Sequence, residues 1–319
     1  IYTRDVVYLQ DDQIARLTKD DHELFSLDDG QHSDHEVCSV QWDVQQLEKG
    51  GFDHFMLKEI DEQPVAIRDS LAGRLKKLIE TGSLSGLNLT DVCAKACRRI
   101  IIIACGTSWH AGLVAKHFFT RFSRVPVEVA YASEFRYDEP ILGKDDIVIA
   151  ISQSGETADT LEALKLCKRQ GATTIGIVNV VGSTIAREVD GGLYLHAGPE
   201  IGVASTKAFT TQLVCLFLVA LQVSLQKGTL KKQDIEAYAA AFDDVLAAVK
   251  KAIGTHERIK SFAKRFKDAD NALYLGRGTH FPVALEGALK LKEISYIHAE
   301  GMPAAEMKHG PIALIDKDM

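Results

Sequence analysis

Apolar and polar positions change rhythm three times along this chain. Over residues 1 to about 45 they alternate in short pieces, Val6-Val7-Tyr8-Leu9, Gln13-Ile14-Ala15-Arg16-Leu17 and Glu23-Leu24-Phe25-Ser26-Leu27, with Asp-rich turns between. That pattern predicts strands. Three such strands cannot bury a core alone, so the segment reads as the closing strands of an upstream domain. After Gly50-Gly51 the period becomes helical. Helices are predicted at Phe55–Asp61 and at Pro64–Glu80, the second with Pro64 in its first turn and Ile67, Leu71, Leu75 and Leu78 on one face. From Arg99 onward apolar runs alternate with helical stretches. Ile100–Ala104, Val127–Ala130, Ile147–Ile151, Thr173–Val178 and Gly192–His196 predict strands, and Trp109–Arg121 is one of the helices between them. This alternation implies an α/β fold with a doubly wound parallel sheet covered on both faces.

The pattern also repeats. Ile103-Ala104-Cys105-Gly106-Thr107 recurs as Leu275-Gly276-Arg277-Gly278-Thr279, and at the same offset Ala132-Ser133-Glu134-Phe135-Arg136 falls on Ala304-Ala305-Glu306-Met307-Lys308. Two copies of one α/β unit are therefore expected in tandem. The second copy stops just before the strand that would match Ile147–Ile151, so it is expected to be incomplete and Met319 not to be the natural terminus. The expected organisation is 1–45 as the upstream domain's strands, 46–88 as a helical linker, 89–230 as the first copy and 231–319 as the start of the second.

Composition narrows the picture. At 319 residues, with 46% hydrophobic and 25% charged positions, the chain matches a globular protein of two domains. Its net charge of −7 argues against a general nucleic-acid or membrane-surface partner. The apolar run Leu213–Leu221 is too short to span a bilayer and reads as a buried helix. Six scattered cysteines lack metal-ligand pairing; Cys93 and Cys97, one helical turn apart, read as unligated neighbours in a reducing cytoplasm. His32 and His35 flank an acidic turn without a third ligand, so no metal site is expected. No signal peptide is visible, and the opening on Ile1 reads as that of a fragment.

Two regions could carry chemistry. Ser152-Gln153-Ser154-Gly155-Glu156-Thr157 joins a predicted buried strand to a helix that runs until Gly171. Backbone N–H groups, three hydroxyls and a helix N-terminus make a phosphate cradle. The hexapeptide alone reads equally well as a serine-rich helix cap, with Thr157 or Ser154 as N-cap. Both this turn and Thr107-Ser108 fall at carboxyl ends of strands, where ligands of such sheets gather, and that favours a binding site. The second region is a helix of the second copy, where Glu286, Lys290 and Glu293 share one face. An isolated pair of this kind is more often a solvated surface bridge. Here Ala284, Ala288 and Leu291 surround the group, and a carboxylate in a partly dry cleft beside a lysine can act as a proton-transfer base. His309, in Lys308-His309-Gly310-Pro311, is either a surface-loop histidine or a titrating group that reaches over a pocket.

Taken together, Cys105–Ser108, Ser152–Thr160, Glu200–Thr210, Glu286–Glu300 and Lys308–Pro311 resemble the glucosamine-6-phosphate synthase family, the isomerising glutamine:fructose-6-phosphate aminotransferases. The resemblance runs the length of the chain. It implies tandem flavodoxin-like sugar-isomerase (SIS) domains, an upstream glutaminase domain and a cytoplasmic homodimer. It further implies that Ser108, Ser152, Gln153, Ser154 and Thr157 hold the sugar phosphate, with Thr107, Val203 and Ser205 lining the same pocket. Glu293 would shuttle a proton between C1 and C2, with Lys290 and Glu286 beside it. His309 would open the sugar ring from the neighbouring subunit. No metal or other cofactor is implied. The family's N-terminal nucleophilic cysteine is missing, so glutamine hydrolysis is not expected of this chain, and the family's C-terminal sugar-binding lysine lies beyond Met319. A related SIS deglycase or isomerase and a non-catalytic sugar-phosphate sensor are the competing readings. The first predicts no upstream glutaminase, the second a basic DNA-binding segment where residues 1–45 are acidic.

Overall fold

The computed structural model describes residues 5–10, 12–35, 37–39 and 48–315. These form two compact units, Ile1–Gly51 and Phe52–Met319. In the first unit β1 (Asp5–Val7) pairs antiparallel with β4 (Val37–Ser39), and β2 (Gln13–Leu17) forms a hairpin with β3 (His22–Ser26). Leu24 is its buried anchor. His35 pairs with His22, Nε2 to Nε2 at 3.0 Å, while the His32 ring lies tilted against Phe25 with centroids 4.6 Å apart.

The second unit opens with α1 (Phe55–Asp61), α2 (Gln63–Leu71) and α3 (Arg74–Thr81). One continuous helix over Pro64–Glu80 was expected, but the helix breaks at Ala72-Gly73, where Gly73 is left-handed at φ 72°. The shared face survives the break: Ile67, Leu75 and Leu78 are all buried in the main core. The segment expected as a linker therefore helps to build the first copy.

After α4 (Asp91–Ala96) the strands and helices alternate: β5 (Arg99–Ala104), α5 (Gly106–Phe122), β6 (Val127–Tyr131), α6 (Ala132–Phe135), β7 (Asp146–Ser152), α7 (Ala158–Arg169), β8 (Thr173–Val178), α8 (Thr184–Glu188) and β9 (Gly191–Tyr194). All five strands are parallel, in the order β6-β5-β7-β8-β9. Side chains alternate across the sheet with period two. Ile100, Ile102, Ile147, Ile149 and Ile151 face α5 and α9 (Lys207–Lys227), whereas Ile101, Ile103, Val148 and Ala150 face α6, α7 and α8. Each fully buried isoleucine contributes about 1.5–3 kcal/mol, which is why continuous apolar runs fold as central strands. By length and composition α9 could cross a membrane, yet 78% of its apolar window is buried within the protein. It is the core helix of the first copy. Burial pushes the Cys97 and Cys215 thiols up to about 11 and Cys167 to about 12, so these cysteines are packing groups.

Helices α10 (Lys232–Ala240), α11 (Phe242–Ile253) and α12 (His256–Phe266) lead into the second copy. There β10 (Asn271–Gly276), α13 (His280–Ser295) and β11 (His298–Pro303) follow the plan of β5-α5-β6, with β10 and β11 parallel. A 3-10 segment, Ala304–His309, takes the place of α6. The repeat extends to backbone detail, since Gly106 and Gly278 turn into their helices at φ 54° and 56°.

Candidate active site

The sheet order reverses between β5 and β7, because successive strands run outward from that pair in opposite directions. Loops at the carboxyl ends of two such strands diverge to opposite faces and leave a crevice between them. Both hydroxyl-rich turns open there. After β7, Ser152 is 2% exposed and gathers the turn around itself. Its Oγ accepts from the Gly155 N–H at 2.9 Å and lies 2.8 Å from Thr157 Oγ1 and 3.5 Å from Ser154 Oγ. Ser154 Oγ accepts in turn from the Glu156 N–H. Thr157 is the N-cap of α7, but its side chain makes no capping bond. Its hydroxyl is turned to Ser152 instead. The turn is pinned from below, as Gly155 O accepts from the Ile185 N–H and Gln153 O from the Asn179 N–H. Gly155 sits at φ 69°, and a Cβ there would lie 2.0 Å from Ser183 Oγ.

After β5, Ser108 is buried and its Oγ accepts from the Gln212 side-chain amide at 2.9 Å. With that acceptor position used, the Ser108 hydroxyl proton is free to donate to a ligand. Gln212 comes from the core helix α9 and is fully buried. Thr107, the next residue toward the strand, faces α13 and meets the second copy.

Helix α13 brings Glu286, Lys290 and Glu293 against that turn. Thr107 Oγ1 donates to Glu286 Oε1 at 2.9 Å and accepts from Lys290 Nζ at 2.9 Å. Lys290 Nζ also pairs with Glu286 Oε1 at 3.3 Å and with Glu293 Oε2 at 2.8 Å. His110 Nδ1 donates to the other Glu286 oxygen at 2.6 Å. Burial alone would push the Glu286 carboxyl up, but the His110 hydrogen bond, the Lys290 ammonium and the Thr107 hydroxyl outweigh it and hold the group below the ordinary carboxylate range. Glu286 is thus a fixed anion, and Glu293 is a half-buried carboxylate attached to the same lysine.

Among the described residues, the side chains of the other expected residues make no hydrogen bond to this network. Val203 is 91% exposed and Ser205 donates to Glu200 Oε2 at 2.7 Å, within a loop that Glu200 folds back onto the start of α9. That loop is clamped from α1, where Glu59 Oε1 accepts from the Ile201 and Gly202 N–H groups. Gln153 is half-buried in the turn. His309 is exposed at the end of its 3-10 segment. Sequence reasoning passed over His110 and Gln212. The available signal was helical spacing, for His110 lies three residues beyond Thr107 on one face of α5. A separate cavity of about 660 Å³ opens beside the edge strand β9, lined by Arg74, Lys77, Asn88 and His196 among others. It contains none of the expected site residues and is not at the switch point.

The SIS domain family matches residues 95–222 and 265–319. The chain is 54% identical over 321 residues to a glutamine–fructose-6-phosphate aminotransferase (isomerizing) of Chlorobaculum tepidum, covering 100% of the chain and 52% of that protein. It is 50% identical to the enzyme of the same name from Aquifex aeolicus, covering 100% of the chain and 51% of that protein. The chain therefore spans about half the length of the curated relatives it matches. The C-terminal domain of glucosamine-fructose-6-phosphate aminotransferase from Francisella tularensis superimposes with a TM-score of 0.80 at 43% identity, over 85% of the chain and 76% of that structure.

Proposed function

The chain belongs to the SIS-domain family, and from that premise we propose that it is the isomerase region of an enzyme forming glucosamine 6-phosphate from fructose 6-phosphate and glutamine-derived ammonia. The observation that carries this reading is the meeting of the two copies. Lys290, which holds Glu293, bonds Thr107 at the mouth of the first copy's strand-end turn. A sensor module would need the hydroxyl turn, but not this carboxylate pair.

On this reading the phosphate lies against Ser108, Ser152, Gln153, Ser154 and Thr157, held by hydroxyls, amides and the N-terminus of α7. Thr107, Val203 and Ser205 line the sugar side, the last two after the 200–206 loop folds inward. His309, exposed in the single chain, opens the ring from the partner subunit of a homodimer. Ammonia adds to the C2 carbonyl and water leaves, giving an imine. Glu293 then takes the proton from C1 and returns one to C2, while the O1 hydroxyl gives up its proton and the imine nitrogen gains one, leaving an aldehyde at C1 and an amine at C2. Lys290 steadies the charge that develops on the sugar oxygens, and Glu286 fixes Lys290. Every step moves protons or exchanges ammonia for water, so the reading calls for no cofactor. It also assigns residues 1–45 to the closing strands of a glutaminase domain, 46–88 to the helical connection, 89–230 to the first SIS copy and 231–319 to the start of the second, in a soluble cytoplasmic enzyme.

The test is Glu293→Gln in the complete protein. Product formation should fall by about 10²–10⁴-fold, the usual contribution of a positioned acid–base group. Fructose 6-phosphate affinity by calorimetry should stay unchanged. Near-normal turnover in this variant overturns the assignment.

A further inference from the structure

We infer that His110 is a positioning residue that sets the register of α13 on the first copy, and so decides where Glu293 meets the sugar; this deepens the proposed reaction and rests on it. Helix α13 buries Pro282, Ala284, Glu286 and Ala288. Two alanines and a proline let the helix approach closely, but small residues tolerate rotation and sliding. Glu286 is the one long side chain among them, and it inserts into the first copy at 6% exposure. A single buried polar group that must find its partners is the kind of feature that fixes register between packed helices.

Its partners stand on one face of α5. Thr107 takes Oε1 and His110 takes Oε2, so the carboxylate is gripped at both oxygens from two positions one turn apart. The grip is passed along α13 by a short relay, from Glu286 to Lys290 at 3.3 Å and from Lys290 to Glu293 at 2.8 Å. Among the described residues the His110 side chain forms no hydrogen bond to Ser108, Lys290 or Glu293, and its contact is the shorter of the two that the first copy makes on Glu286. Without its Nδ1–H, Oε2 is left buried and unpaired, and the carboxylate must turn toward Lys290 or withdraw. Either response moves the relay and with it Glu293. Displacements of about 1 Å at a reacting group cost rates on the order of 100-fold.

The experiment compares His110→Leu with His110→Asn in the complete protein. Asparagine is chosen because its side-chain N–H can take the place of Nδ1–H, whereas leucine fills the space without a donor. The expected result is that His110→Leu lowers kcat by roughly 100-fold while fructose 6-phosphate affinity stays within about twofold, and that His110→Asn recovers most of the loss. Amide hydrogen exchange should show α13 loosened in His110→Leu with β5 and β7 still protected. An unchanged kcat in His110→Leu overturns the inference. So does a joint loss of kcat, affinity and sheet protection that asparagine does not rescue, since that is a folding defect. If wild-type protein neither binds fructose 6-phosphate nor forms glucosamine 6-phosphate, the proposed function fails before any variant is made. The exchange of α13 then decides the docking role alone, and equal protection in wild type and His110→Leu refutes it.

Discussion

Replacing Gly155 by alanine strikes the cradle at its tightest point. The residue is left-handed at φ 69°, and a Cβ there would lie 2.0 Å from Ser183 Oγ and 2.5 Å from Ser183 Cβ. Two separable costs follow. Holding an alanine in the left-handed region costs about 1–2 kcal/mol. Overpacking against Ser183 costs about 1–3 kcal/mol, because the contact at its Cβ cannot be relieved by a rotamer change alone. Gly155→Ala should therefore lose roughly 2–5 kcal/mol in chemical denaturation. Since the turn must shift to relieve the clash, fructose 6-phosphate should bind at least about tenfold more weakly in a calorimetric titration, which is about 1.4 kcal/mol. A second substitution separates the two costs. Ser183 is buried and its hydroxyl has no hydrogen-bond partner among the described residues, so Ser183→Gly in the alanine background removes the clash while the backbone strain stays. Only the overpacking part of the loss should return. Wild-type stability and affinity in Gly155→Ala would refute the description of the turn. Complete recovery by Ser183→Gly would refute the strain, and no recovery would refute the clash.

Thr157→Val keeps the shape of the cradle and removes the hydroxyl that faces Ser152 at 2.8 Å. A hydrogen bond to a charged group is worth about 1.5–3 kcal/mol, so fructose 6-phosphate affinity should fall by roughly 10- to 100-fold with little change in turnover at saturation; equal affinity in the titration removes Thr157 from the site. For Glu286 the pH dependence of stability is the check. Its folded carboxyl lies below the ordinary value of 4.5, so the network stabilises the protein fully above that value and loses this contribution as pH falls through the lowered one. The stability gap between wild type and Glu286→Gln should be constant near neutrality and shrink in acid. A gap that widens in acid would show that Glu286 is not held as the anion.

How much of this could be read from the chain depends on the range of the interaction. Ile100–Ile103 and Ile147–Ile151 announce buried strands because burial on both faces demands unbroken apolar runs. The repeat fixed the α/β plan of β10-α13-β11 for the same reason. Gly73 was lost inside a helical period because Leu75 and Leu78 continue the apolar face beyond the break, and spacing alone does not report a left-handed residue. Ser152–Thr157 was legible as a cradle or a cap, and the direction of the Thr157 hydroxyl, toward Ser152 and away from a capping bond, was not. Glu286, Lys290 and Glu293 declared themselves as a helical face. What they face was not legible, since Thr107 and His110 lie far away in the chain and meet Glu286 only when α5 and α13 pack. Gln212 is hidden in the same way, as a polar position within an apolar core helix. The strand order that places β5 beside β7 is a matter of pairing partners, which local pattern does not encode.

The most direct test of the central claim is a crystal structure of the complete protein with fructose 6-phosphate bound. The phosphate should lie within hydrogen-bond reach, about 3 Å, of Ser108, Ser152, Ser154 and Thr157, with the Glu293 carboxylate directed at C1 and C2. A phosphate seated instead beside Arg74 and Lys77 at the β9 edge, or a Glu293 turned away from the sugar, would contradict the account.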